Sequence, residues 1–177
     1  PSGRNSSLPE WGGVYLWTFP YYQGGYIPYI AGITTRPLVK RFREHTRCYR
    51  DGMYTLFDMK ALSQGLRVER WLGFWFHKQR PPERVEEFKR RQTELQALAS
   101  EQMVTCQIFA ARLTAERRLL ERLEASVMKQ MYNGPKPFCD IPERGMMLAP
   151  RWQSETPITV LSGMTSMLYG IPEVLEI

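Results

Sequence analysis

The feature that most constrains this chain is a pair of strand-forming runs near its start. Residues 11–19 read WGGVYLWTF and residues 26–33 read YIPYIAGI. Val, Tyr, Trp, Thr and Phe favour a pleated, well-packed surface. The first run is apolar on both faces, which predicts an interior strand. Between the runs lies PYYQGG, where Gly24 and Gly25 supply the positive φ of a turn. Pro28 has no N–H for a ladder, so its strand must lie at an edge or carry a bulge. A β-hairpin with a roomy loop is the starting point of the fold.

Helical patterns follow. Thr34 to Arg36 form a short loop, and Pro37 suits the first turn of a helix. That helix extends to about Tyr49, with Leu38, Val39 and Phe42 as its apolar stripe. Arg41 and His45, four residues apart, share a face. Residues 50–80 are ambiguous. MYTLFDMKAL reads as a strand running to a turn at Gly65, and VERWLGFWFHK as a second strand, with Trp71, Phe74, Trp75 and Phe76 in the core of the insertion. Residues 83–100 predict one helix on Val85, Phe88, Leu95, Leu98 and Ala99. Its other positions mix Arg84, Lys89, Arg90 and Arg91 with Glu83, Glu86, Glu87 and Glu94, the pattern of a solvated face. Residues 102–111 predict a strand and Thr114 an N-cap. Residues 115–132 predict a helix on Leu119, Leu120, Leu123, Val127, Met128 and Met131, with Asn133-Gly134 as its C-cap. The tail gives no firm pattern. The order β-β-α-(β-α)-β-α predicts an α/β (α+β) fold: a small antiparallel or mixed sheet flanked by helices.

The boundaries that follow are a flexible lead at 1–9, a domain at 10–145 with an insertion at about 50–101, and a C-terminal extension at 146–177. A chain of 177 residues buries a core without staples. No run of roughly 18 apolar residues is present, so no membrane span is expected. The first residues lack a secretory h-region. Cys48, Cys106 and Cys139 give neither a disulfide framework nor zinc spacing. Two histidines, His45 and His77, do not make a His-rich metal site. The expected home is a reducing, intracellular compartment. The net charge is +6, with 18 Arg against 6 Lys. This leans toward polyanionic partners, because the guanidinium fork matches phosphate.

Three blocks carry a resemblance. Gly13-Val14-Tyr15 opens the first strand. Tyr29-Ile30-Ala31-Gly32 closes the second and runs on through Thr34, Arg36 and Pro37 to Arg41 and His45. Leu123-Glu124-Ala125 lies on the last predicted helix. Together they resemble the GIY-YIG nuclease superfamily, over roughly residues 11 to 140. The resemblance implies an endonuclease acting on double-stranded DNA with Mg²⁺ or Mn²⁺, one ion per site, of the compact stand-alone or restriction type. It implies that Tyr15 acts as general base or positions the water, that Arg41 contacts the scissile phosphate with His45 as its partner, and that Glu124 holds the metal. Tyr29 stands one residue before the family's second tyrosine position, which Ile30 fills, and a bulge near Pro28 would bring it into register. Asn133 matches a polar residue beyond the glutamate. Arg36, Arg43, Arg47 and Arg50 are expected on DNA, the last three extending the Arg41 face. Specificity then falls to the insertion, the tail, a partner or a homodimer.

The chemistry makes its own demands. Phosphodiester hydrolysis needs a positioned water, cations on the developing charge and stabilisation of the leaving oxygen. A tyrosine with pKa about 10 is about 0.1% ionised at pH 7. A tyrosine base therefore requires Arg41 and a metal to pull that pKa down, and predicts an alkaline optimum. Two other readings remain open: a catalytically weakened DNA-binding module, with Ile30 as its mark, and a protein-interaction domain that docks through the tail and the charged helix.

Overall fold

The hairpin forms where the two aromatic runs lie. In this computed structural model, which describes residues 10–76 and 81–177, β1 spans Gly13–Pro20 and β2 spans Tyr26–Thr34. The lead at 1–9 and His77 lie outside the described residues. Gly24 and Gly25 turn the chain with φ of 93° and 70°, a region that L side chains rarely enter. Helix α1 follows at Leu38–Arg50. The insertion contributes β3 (Leu56–Phe57), α2 (Met59–Ser63), β4 (Glu69–Trp71), α3 (Pro82–Arg90) and α4 (Gln92–Thr105). Then come β5 (Gln107–Arg112), α5 (Arg117–Asn133), β6 (Thr159–Leu161) and β7 (Val174–Glu176). The central sheet is antiparallel, in the order β2-β1-β5, and two small two-stranded sheets pair β3 with β4 and β6 with β7. The chain is thus a mixed α/β protein with small antiparallel sheets. Among the described residues no helix is long and apolar enough to cross a membrane.

The two faces of the central sheet bury different cores. Tyr15, Trp17 and Phe19 alternate along β1 toward α1, where they join Leu38 and Tyr49. Leu56, Phe57, Leu62, Trp71, Leu95 and Ala99 of the insertion belong to the same cluster. The 50–101 segment is therefore part of the main core rather than an appendage. Ala31 faces the other way, onto Leu123, Val127, Met128 and Met131 of α5 and Leu175 and Ile177 of the tail.

Several expectations change. The single helix at 83–100 is two, broken at Arg91, and the second continues to Thr105. The strand expected from residue 102 therefore starts at Gln107. Gln102 lies in the helix because its amide has work there. Its Oε1 accepts the Phe57 N–H at 2.9 Å and its Nε2 donates to the Thr55 carbonyl at 3.3 Å. It thereby satisfies the backbone of a strand too short to pair fully. Trp75 is not core but 67% exposed. The last helix starts at Arg117 with Glu116 at its N-cap, not Thr114. It ends at Gly134 with φ −65°, so that glycine is not in the left-handed region. The charged faces of α3 and α4 are laced by Arg84–Glu87, Lys89–Glu86, Arg91–Glu87 and Arg91–Glu94 pairs.

The tail has structure. The guanidinium of Arg118 forks onto Glu155, at 2.7 and 2.6 Å, and stacks 4.2 Å over Trp152. Buried Arg122 donates to the carbonyls of Thr156 and Ile177, both at 2.7 Å. Two arginines one helical turn apart thus clamp the tail along α5.

Candidate active site

Tyr15 is the centre of the cluster. Strand alternation turns it toward α1, where it is only 2% exposed. Its ring lies across Gly32 on the neighbouring strand, and a Cβ at Gly32 would run into the phenol. Phe42 meets the ring edge-on at 5.5 Å. Arg41 Nε donates to the Tyr15 hydroxyl at 3.1 Å, and His45 Nε2 lies 3.0 Å from it. One helical turn separates the two α1 residues, so one face of the helix delivers both to one oxygen.

Protonation sets the direction of these bonds. Burial, with Arg41 beside it, pushes His45 down to about 3. The imidazole is therefore neutral near pH 7, and in its Nδ1–H tautomer Nε2 accepts the Tyr15 O–H. Arg41 only donates. The hydroxyl spends its proton on His45 and one lone pair on Arg41, and keeps one lone pair for a further donor such as water. Burial raises the Tyr15 pKa above its ordinary value, and Arg41 offsets only part of the rise. Arg41 by itself therefore does not pull the phenol down: within the protein, desolvation outweighs the guanidinium.

Glu124 reaches the site from α5. Helix α5 runs beside β2, an edge strand of the central sheet. Met128 Sδ accepts the Ala31 N–H at 3.1 Å. One turn earlier, the Ile33 N–H acts on Glu124 and lowers its pKa. Residues 31 and 33 present N–H groups on the same side of the strand, so two side chains one turn apart cover the free edge. Burial still dominates and pushes Glu124 up to about 7, opposed by Ile33 and then Arg41. Among the described residues Glu124 makes no salt bridge. It also influences Tyr15 electrostatically, so both groups share one field.

The other expected residues separate into those that join this cluster and those that do not. Arg36 joins its rim. Its Nη1 and Nη2 fork onto Glu44 at 2.8 and 2.9 Å, and Glu44 also takes Arg41 Nη1 at 3.3 Å. Tyr29 lies elsewhere. The pairing passes from Trp17–Ile30 to Thr18–Pro28, which leaves Tyr29 as the extra residue of a bulge. The bulge does turn Tyr29 onto the Tyr15 face, but its hydroxyl bonds to that of Tyr49 deep in the core. Arg43, Arg47 and Arg50 are exposed. At about 100° per residue they lie on the side of α1 opposite Arg41, so they do not extend its face. Asn133 is nine residues beyond Glu124, about 13 Å along α5. Sequence reasoning missed Glu44, which looked like one charge among many. Its spacing of three from Arg41 was the available signal.

Among the described residues no group of three or more His, Cys, Asp or Glu side chains is placed to hold a metal ion. Glu124 is a desolvated carboxylate with Glu121 as its carboxylate neighbour on α5. Comparison with known proteins gives no match: no family model, no curated protein and no solved structure matches the chain.

Proposed function

We propose that this chain is a divalent-metal-dependent DNA endonuclease of GIY-YIG type. The observation that carries the reading is the Tyr15 hydroxyl held between Arg41 Nε and His45 Nε2, in the field of half-buried Glu124. These residues come from β1, α1 and α5, far apart in the chain. Hydroxyl, guanidinium and carboxylate at one spot are what phosphodiester hydrolysis asks for.

Arg41 binds the scissile phosphate. Its Nε is fixed on Tyr15 and its Nη1 on Glu44, while Nη2 has no partner among the described residues. Tyr15 orients the attacking water through its remaining lone pair. The neutral phenol favours this positioning role over that of a resting base, since its pKa is raised and that of its acceptor His45 is low. Glu124 would hold Mg²⁺ or Mn²⁺. Burial disfavours its bare charge, and a cation that keeps most of its water shell needs only one or two carboxylates. When bound, that ion supplies charge stabilisation at the leaving oxygen.

Cleavage of supercoiled plasmid with Mg²⁺ tests the reading. Wild-type protein nicks or linearises the plasmid. Arg41→Ala and Glu124→Gln lose about 10²–10³-fold in rate. Wild-type protein that binds DNA with a steep salt slope but never cuts it is a binding module instead. DNA binding no stronger than any protein of this charge gives, with tail-dependent association, points to a protein-interaction domain.

A further inference from the structure

Glu44 occupies two guanidinium groups at once. Its two oxygens take the fork of Arg36 at 2.8 and 2.9 Å, and one of them also takes Arg41 Nη1 at 3.3 Å. Carboxylate and phosphate present the same pair of acceptor oxygens to a guanidinium. Arg41 meanwhile reaches Tyr15 through Nε. Two guanidinium groups, one before α1 and one on it, thus converge on a single anion at the mouth of the site. We propose that Glu44 is a built-in phosphate surrogate, which keeps Arg36 and Arg41 converged and is displaced when a DNA phosphate enters. This rests on the nuclease reading of the site.

The exposure of the group fits an exchange rather than a permanent brace. The Arg36 and Glu44 side chains are 56% and 40% exposed. Ion pairs in contact with water are weak and easily replaced. The guanidinium groups hold the Glu44 carboxyl below its usual range. It therefore stays charged at any working pH and competes throughout. Competition has a consequence. An incoming phosphate must win Arg36 from a carboxylate already in place, and then leaves that carboxylate beside it as a like charge. Glu44 lowers affinity for any polyanion and makes stable binding depend on contacts elsewhere. It is a positioning and selectivity residue, with no contact to the reacting atoms.

Binding of a short mixed-sequence DNA duplex, followed by fluorescence anisotropy in EDTA over a salt series, tests this. Glu44→Gln is expected to bind about threefold to tenfold tighter, with a log–log salt slope steeper by about one, because the two guanidinium groups then face the phosphate without an offsetting carboxylate charge. In an Arg36→Gln background the gain is expected to shrink, because only the Arg41 Nη1 contact is then released. Tighter binding with an unchanged slope, equal or weaker binding, or a gain undiminished in the Arg36→Gln background overturns the surrogate role. Wild-type protein that neither cuts nor binds DNA overturns the nuclease reading and this inference together. Wild-type protein that cuts, with Glu44→Gln binding no tighter, overturns the inference alone.

Discussion

The Tyr15 hydroxyl and His45 Nε2 stand 3.0 Å apart, and a neutral imidazole protonated on Nδ1 is the acceptor. A histidine held at about 3 is neutral at every pH at which the protein is expected to work, so this bond does not switch near neutrality. His45 thereby fixes where the phenol proton points and leaves the outer lone pair facing the site. Its burial has a thermodynamic signature of its own.

In the unfolded chain His45 protonates near 6.5, but in the folded protein only near 3. Between those values the unfolded chain binds the extra proton, so stability falls as pH drops through the window. Wild-type protein should lose about 2–5 kcal/mol across it relative to His45→Gln. Urea melts at a series of pH values measure the difference. Parallel stability curves for the two proteins contradict the buried neutral imidazole.

Glu124 has the opposite sign. Its folded pKa of about 7 lies above the ordinary 4.5, so the folded state holds a proton that the unfolded chain has shed between those values. Stability then declines as pH rises toward 7. Glu124→Gln should be more stable than wild type above pH 7, by about 1–2 kcal/mol after allowing for partial exposure. The same proton competes with metal. The cleavage rate should climb with pH, level off just above 7, and climb earlier at higher Mg²⁺. A rate that is flat from pH 5 to 9 at limiting Mg²⁺ argues against Glu124 as the ligand.

Gly32 leaves room for the Tyr15 ring. A methyl group there collides with the phenol and pushes the hydroxyl off its two partners. Gly32→Ala is expected to reduce cleavage about 10²-fold or more. Its melting temperature should change as for other overpacked sites, by about 1–3 kcal/mol equivalent. Cleavage kinetics set against thermal melts separate the two effects.

Tyr29 distinguishes packing from catalysis. Its hydroxyl pairs with Tyr49 rather than with Arg41 or Glu124. Tyr29→Phe should cost about 1 kcal/mol of stability and leave the cleavage rate within about threefold of wild type. A loss of 10²-fold would place the hydroxyl in the reaction instead.

What was legible in the sequence is what local periodicity dictates. The hairpin, α1 and most of α5 follow from strand-forming runs, a helix-starting proline and a 3.6-residue stripe. Pro28 foreshadowed a bulge, which lies at the adjacent Tyr29. The insertion was opaque because its strands are only two and three residues long and are held by distant groups, such as the Gln102 amide. The tail was opaque for a similar reason: Arg118 and Arg122, which clamp it, read as ordinary helix charges. At the site, Tyr15, Arg41, His45 and Glu124 do share one neighbourhood. The exposed arginines of α1 do not, because helix geometry turns them away.

The cover that Glu124 and Met128 give to β2 has a practical consequence. Unpaired N–H groups on a sheet edge recruit foreign strands and seed aggregation. Glu124→Ala removes the group facing Ile33 and bares that part of the edge. Precipitation of the alanine protein would then pass for loss of chemistry. Glutamine keeps an oxygen for the Ile33 amide and discards the charge, so it dissects the chemistry from colloidal behaviour. One side chain on α5 thus joins the Tyr15 cluster and shields the edge of the central sheet.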